Sequence, residues 1–364
     1  MKNVFDRRRF LALMGASTMV PIAWRNARAA SPLIMQASWI NDAEFTGYFA
    51  AIDNGYYTDE GLDFTYLSGG PDVIPESSII AGKADVTLTT PDTTIKAIVE
   101  QGAKFKIIGA QYQKNPHGII SLASNPIREP KDLIGKTLAV PPVNVISVEV
   151  MLRINNVDRA QVNIVPYAYD PTPLLKGEID ASLDFTTNVP FTLKQKGAEV
   201  TSFLLYDFGY TIFNDTIVVT EETLSAKRKE LVSWLRASRK GWVEGLKDPT
   251  VYPPKFADTW FKGTGRSIEN EVYFNTAQKP LVESPNGILS MSEDGIAKTI
   301  DALSQVGIKA KRDMFDTTLL EEVRCRASAA SASRMSPRRS PPGASRSKRS
   351  RTCRSTAPRA PSPR

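Results

Sequence analysis

Short apolar runs alternate with stretches of helical periodicity from residue 31 to about residue 323. That alternation predicts βα units and mainly parallel sheets. Strands are expected at Leu33–Ser38, Leu62–Leu67, Asp85–Leu88 and Phe105–Ala110, and again at Ile119–Ala123, Thr137–Val140, Val162–Pro166, Ala181–Phe185 and Thr201–Leu205. Thr216–Thr220 reads as a strand returning to the first set. Between them, Ala43–Asn54 sets Phe45, Tyr48, Phe49 and Ile52 at helical spacing before Gly55, and Pro91-Asp92 opens a helix over Thr93–Gln101. Past residue 220 the pattern is helical: Ser225–Leu246, Pro254–Lys262, Ile268–Gln278 and Glu293–Val306. The fold class is therefore α/β, with two similar lobes joined by crossing strands. Ligands of open α/β sheets bind beyond the carboxyl ends of the strands, so a cleft between the lobes is the expected site.

The two ends do not follow this pattern. Residues 1–29 carry Arg7-Arg8-Arg9-Phe10-Leu11, a short apolar run and Ala27-Arg28-Ala29, the layout of an export signal of the twin-arginine type. Residues 324–364 hold 12 Lys/Arg and no acid among Ser, Pro and Ala, a composition that cannot bury enough apolar surface to order itself. Its abrupt onset resembles GC-rich coding sequence read out of frame. The expected organisation is thus a signal at 1–29, the first part of lobe 1 at 30–117, lobe 2 at 118–210, the return to lobe 1 with the C-terminal helices at 211–323, and a basic tail at 324–364.

Charge looks different once the ends are set aside. The chain has 46 basic and 39 acidic residues, net +7, but the body between signal and tail keeps 28 basic against 38 acidic. A nucleic-acid-binding body loses its main support. Both cysteines, Cys325 and Cys353, lie in the tail, and His117 is the one histidine. A thiolate nucleophile in the body, a cysteine cluster or a histidine metal site is accordingly not expected, and no cofactor is called for.

Several stretches resemble one known family. Trp39-Ile40-Asn41-Asp42, Gly47-Tyr48-Phe49-Ala50-Ala51, Asn54-Gly55-Tyr56-Tyr57 and Glu60-Gly61-Leu62-Asp63 are similar to the opening of periplasmic substrate-binding proteins related to thiamine pyrimidine synthases and to sulfonate and nitrate binders. Ala81-Gly82-Lys83-Ala84-Asp85, Pro130-Lys131-Asp132-Leu133 with Gly135-Lys136, and Leu175-Lys176-Gly177-Glu178-Ile179-Asp180 continue the likeness in order. The resemblance implies a type II periplasmic-binding-protein fold, two lobes with a two-strand hinge that close over ligand. It also implies a monomer in the periplasm, meeting the membrane through an ABC permease and its ATPase.

Candidate ligand contacts follow from the strand ends. Trp39, Asn41 and Asp42 follow the first strand; the indole can stack a flat ring and the polar pair can bond ring nitrogens, or Trp39 is core and the pair caps the next helix. Thr89, Thr90 and Asp92 sit between a strand and a helix N-terminus, a polar or anion-accepting rim or simply a cap. In the second lobe Asn144 follows one strand, while Asp184, Thr186 and Asn188 follow another. Tyr210 lies near the returning crossing, placed to close over a ligand. His117 is read as structural, and Ser68-Gly69-Gly70 first of all as a turn.

This set holds carboxylates, amides, hydroxyls and aromatics, with no arginine at the strand ends. A sulfonate or nitrate favours a charge-assisted donor, so a small aromatic heterocycle, a thiamine pyrimidine precursor or a flavin-like ring, fits better. The resembling synthases build their pyrimidine from a lysine-bound pyridoxal phosphate and an internal histidine, shortly after the motif matching Gly82-Lys83-Ala84-Asp85. Here that stretch, Val86 to Thr94, has neither Lys nor His, and the cysteine-rich segment is missing, so an enzyme is not expected.

Overall fold

The computed structural model describes residues 30–324, in which ten strands form two five-stranded sheets. The expected export signal, and the expected tail beyond Arg324, lie outside the described residues. The strands fall where the apolar pattern puts them: β1 (Ser31–Gln36), β2 (Leu62–Leu67), β3 (Val86–Thr89), β4 (Phe105–Tyr112), β5 (His117–Leu122), β6 (Thr137–Val140), β7 (Asn163–Pro166), β8 (Ala181–Phe185), β9 (Val200–Leu204) and β10 (Asn214–Thr220). No helix among the described residues is long and apolar enough to cross a membrane.

The sheets share one plan. The first runs β2-β1-β3-β10-β4 and the second β7-β6-β8-β5-β9. Each has three parallel strands, then one antiparallel strand, β10 or β5, wedged between the third and the edge. Those wedged strands are the ones the chain enters immediately after each crossing, between Tyr112 and His117 and between Leu204 and Asn214. Each lobe is therefore completed by a strand that arrives from the other. The outcome is the two-lobed α/β architecture that the pattern implied.

Each sheet has its own apolar core. The larger is built on Leu33, Met35, Val86, Leu88 and Ile107, the smaller on Ile119, Leu138, Val140 and Leu183. Helix Glu293–Ser304 serves both, Ile296 and Leu303 packing into the first and Ala302 into the second. Pro254–Lys262 is not one helix as expected. Tyr252–Phe256 is helical and the chain then turns, because Trp260 leaves the helical path to stack on Phe49, centroids 4.5 Å apart and 9° from parallel.

The first helix, Thr46–Asp53, carries the backbone next to the cleft and is fixed by close packing against Arg228–Lys247. A Cβ on Gly47 would lie 2.1 Å from the Trp242 ring, and one on Gly241 would lie 2.2 Å from the Gly47 carbonyl oxygen. Only glycine lets the two backbones approach this far. Trp234 stacks on Tyr48 from the same helix at 5.9 Å. Gly47→Ala is expected to destabilise the fold by about 2–3 kcal/mol through overpacking, measured as a lower midpoint in urea; an unchanged midpoint would show that the crossing relaxes freely.

Candidate functional site

Between the sheets lies a cavity of about 540 Å³, walled by residues of both lobes. On the first lobe's side β1 runs into Ser38, Trp39 and Asp42, and β3 into Thr89 and Thr90. On the second lobe's side Asn144 follows β6, Tyr169 follows β7, and Asp184 and Asn188 lie at and after the end of β8. The site thus sits at the carboxyl ends of the parallel strands, as the topology requires.

Trp39 and Tyr169 meet across the cleft, ring centroids 4.7 Å apart and tilted by 57°. Tyr169 adopts φ 61° and Asp215, another wall residue, φ 44°. Left-handed backbone is uncommon at non-glycine residues, and its cost is met here by the surrounding packing. Asp215 belongs to β10 and faces Glu44. Ser38 Oγ lies 2.9 Å from Asp215 Oδ1 and 3.5 Å from Glu44 Oε1, joining the two carboxyls. Gln111 Nε2 donates to Asp215 Oδ2 at 3.3 Å and to the Glu44 carbonyl at 2.8 Å.

Five wall carboxylates are buried: Asp42, Glu44, Glu76, Asp184 and Asp215. Against them stands one wall guanidinium, Arg266, already paired with Asp42 Oδ2 and 4.0 Å from Glu271. Burial, then the charges of Asp215 and Asp42, push Glu44 well above the usual carboxylate range. Burial lifts Asp215 to about 6 and Asp184 to about 7, the latter against a 2.7 Å bond from Ser182 Oγ. His117, also on the wall, is lowered to about 4 by burial and is neutral, its Nδ1 without a partner and its ring edge-on to Phe185 at 4.8 Å. Expected to be structural rather than functional, it stands on the cavity wall.

Seven of the eleven expected residues are on the wall: Trp39, Asp42, Thr89, Thr90, Asn144, Asp184 and Asn188. Asp42 also caps, its Oδ1 accepting from Glu44 N at 2.9 Å, so capping and cavity roles coexist on two oxygens. Thr89 and Thr93 both donate to Glu76 Oε1, at 2.6 and 2.8 Å. The rim expected to accept an anion is therefore occupied by the protein's own carboxylate. Asn188, with its amide turned to suit both neighbours, accepts from Arg266 at 3.1 and 3.2 Å and donates to Asn270 Oδ1 at 2.8 Å.

Four expected residues are elsewhere. Asp92 and Tyr210 pair with each other, the phenol donating to Asp92 Oδ2 at 3.3 Å, and both are buried off the cavity. Thr186 turns its hydroxyl to the Pro116 carbonyl at 3.3 Å, at the first crossing. Asn41 is half-buried beside the wall without forming part of it. Conversely, Glu44, Asp215, Tyr169 and Arg266 were not anticipated. Tyr169 follows β7 and obeys the same strand-end rule that found Trp39. Arg266 comes from the turn before helix Ile268–Val282, where strand-end reasoning cannot look.

This architecture is that of a periplasmic-binding-protein fold with its site in the inter-lobe cleft. A solved structure of the periplasmic aliphatic sulphonate binding protein SsuA from Escherichia coli matches it with a TM-score of 0.62 at 12% identity, over 75% of this chain and 86% of that one. The desulfurization enzyme DSZB shares the fold with a TM-score of 0.54 at 11% identity, over 82% of this chain and 99% of that one. Residues 42–251 match the model of the NMT1/THI5-like family, and the chain belongs to that family. Among its relatives, a riboflavin-binding protein of Chloroflexus aurantiacus is 24% identical over 60% of this chain, and a formylaminopyrimidine-binding protein of Halalkalibacterium halodurans 24% identical over 58%. The match spans 65% of the length of each.

The raised Asp184 pKa has a consequence for stability. A carboxyl whose folded pKa of about 7 exceeds its unfolded value near 3.9 contributes stability that is intact below about pH 4 and lost as pH rises through 7. Asp184→Asn removes the penalty of ionising it. The variant is expected to match the parent at pH 4 and to exceed it by roughly 2–4 kcal/mol at pH 8 in urea unfolding. A constant difference across that range would show that Asp184 titrates normally.

Proposed function

We propose that this chain is the solute-binding component of an ABC importer, and that its ligand is a small aromatic heterocycle rich in N–H donors, a thiamine-type pyrimidine precursor or a flavin-like ring. The observation that carries this reading is the imbalance on the cavity wall, five buried carboxylates against one guanidinium already held by Asp42. Such a wall holds more acceptors than the protein's own donors satisfy, so what it lacks is donors. Ring N–H and amino groups supply them, and the Trp39–Tyr169 pair offers aromatic faces for the ring. A sulfonate or nitrate would enter beside carboxylates with the one guanidinium committed, a charge arrangement that opposes it. Relatives named for riboflavin and formylaminopyrimidine support the heterocycle, and the wall offers no lysine for a Schiff base. Binding without catalysis is the consistent reading.

In this scheme the ligand settles against Trp39, Glu44 and Asp215, and lobe 2 brings Tyr169, Asp184 and Asn188 over it. Closure is a population shift sustained by contacts that require both lobes. The closed form then engages a permease and ATPase at the membrane, the protein itself being exported to the periplasm as a monomer.

Equilibrium titration with 4-amino-2-methylpyrimidine, riboflavin and taurine tests the ligand class. One of the two ring compounds is expected to bind more tightly than taurine, and the reverse order overturns the proposal. Affinity for the aminopyrimidine should rise between pH 5 and pH 8, as Asp215 and Asp184 ionise and become full acceptors. Trp39→Ala should weaken it by roughly 1–3 kcal/mol. Unchanged affinity in that variant removes the indole from the site.

A further inference from the structure

The cavity is longer than a ring needs. Its wall includes Thr93, Ala97 and Gln101, which follow one another at four-residue spacing along helix Pro91–Gln101. Eight residues of helix span about 12 Å, so the space runs outward by that distance from the carboxylate floor. Facing it from helix Pro75–Ile80 and the turn before it are Ile74, Ser77 and Ile80, on the same wall. Thr93 is half-buried and Gln101 exposed, so this arm opens toward solvent.

Its chemistry differs from that of the floor. Ile74, Ile80 and Val143 are 67%, 65% and 66% exposed, and all three belong to the cavity wall. Single exposed aliphatic side chains are ordinary, but three lining one cavity are not. The carboxylate nearest this arm, Glu76, is buried and already accepts from Thr89 and Thr93. Beside the hydroxyls of Ser77 and Thr93 and the Gln101 amide, what the arm presents is the carbon of Ile74, Ile80 and Ala97. We infer that it is a second subsite, taking a neutral alkyl or aryl extension of the ligand whose ring occupies the floor. The ligand is thus bipartite, an N–H-rich head with an uncharged apolar arm. Ile80 and Ala97 are the residues that set the preference for that arm. This inference rests on the heterocycle reading above and adds to it the second half of the molecule.

Matched probes test it: 4-amino-2-methylpyrimidine and its 5-hexyl derivative, titrated calorimetrically against the parent chain, Ile80→Ser and Ala97→Phe. Partial burial of the chain predicts a hexyl gain of about tenfold in the parent. Ile80→Ser should cut that gain at least threefold and Ala97→Phe should abolish it by filling the arm, while both leave affinity for the bare ring within twofold. Equal affinities of the two probes in the parent, or a hexyl gain untouched by both variants, overturn the subsite and leave the heterocycle reading standing. Equal affinities together with slower ligand uptake by Ile80→Ser in reconstituted transporter would instead assign these aliphatic residues to a docking face. Failure of both pyrimidines and of riboflavin to bind removes the heterocycle reading and the arm with it.

Discussion

Insertion of β10 between β3 and β4 is the constraint on which both the fold and the site depend. The first sheet cannot close its hydrogen-bond ladder until the chain has left, built the second sheet and returned. That return delivers Asp215 to the floor of the cavity, 2.9 Å from the Ser38 hydroxyl that follows β1. It also obliges two separate crossings to connect the lobes, so they can rotate about a pair of strands but cannot drift apart. β5 does the same for the second sheet, lying antiparallel between β8 and β9. A cleft with fixed walls and a variable gap follows from this exchange, and the remaining helices pack around it.

The cost of the site is electrostatic. Burying carboxylates without matching cations is unfavourable, and the protein meets that cost in two ways. Some are held by donors: Glu76 by two threonine hydroxyls, Asp184 by Ser182, and Asp42 by Arg266 and the Glu44 amide. Glu44 and Asp215 also resist ionisation: burial favours the neutral acid at both, with the charges of Asp215 and Asp42 adding to it at Glu44 and that of Asp42 at Asp215. A floor in this condition has acceptor capacity in excess of what the chain satisfies. The apolar arm beyond Thr93 has no such excess. Polar recognition and bulk complementarity are therefore separated in space, the first deep and the second near the mouth.

What the sequence disclosed followed from local pattern. Each of the ten strands coincides with an apolar run, and the wall residues Trp39, Thr89, Thr90, Asn144 and Asp184 lie where a strand end predicts a cleft. The failures are long-range. Asp92 and Tyr210 look like ligand contacts in isolation, but they are 118 positions apart and bond to one another. Asp215 lies at the start of an antiparallel strand, so its amino end, not its carboxyl end, reaches the site. Arg266 approaches from a turn 224 positions from its partner Asp42, and no periodicity marks it. Its omission made the cleft look free of arginine. That guanidinium is committed to a carboxylate, so the balance of charge on the wall stays acidic.

The contacts that cross the gap explain how such a structure remains responsive. Near the mouth, Asn270 Nδ2 donates to Thr192 Oγ1 at 2.6 Å, Gln195 Nε2 donates to Ser267 Oγ at 2.8 Å, and Phe191 stacks on Tyr273 at 4.9 Å. Neutral hydrogen bonds such as these, one exposed and one partly buried, are exchanged for water at a net cost of about 1 kcal/mol each. A half-buried aromatic pair adds about the same. Together they amount to a few kcal/mol, the range in which a minor open state stays populated and a ligand's differential contacts decide the balance. At the hinge side the arrangement is different: Tyr210 and Asp92 are fully buried, and parting them would strand two polar groups away from water. Rotation must therefore pivot near that pair and gape at the mouth.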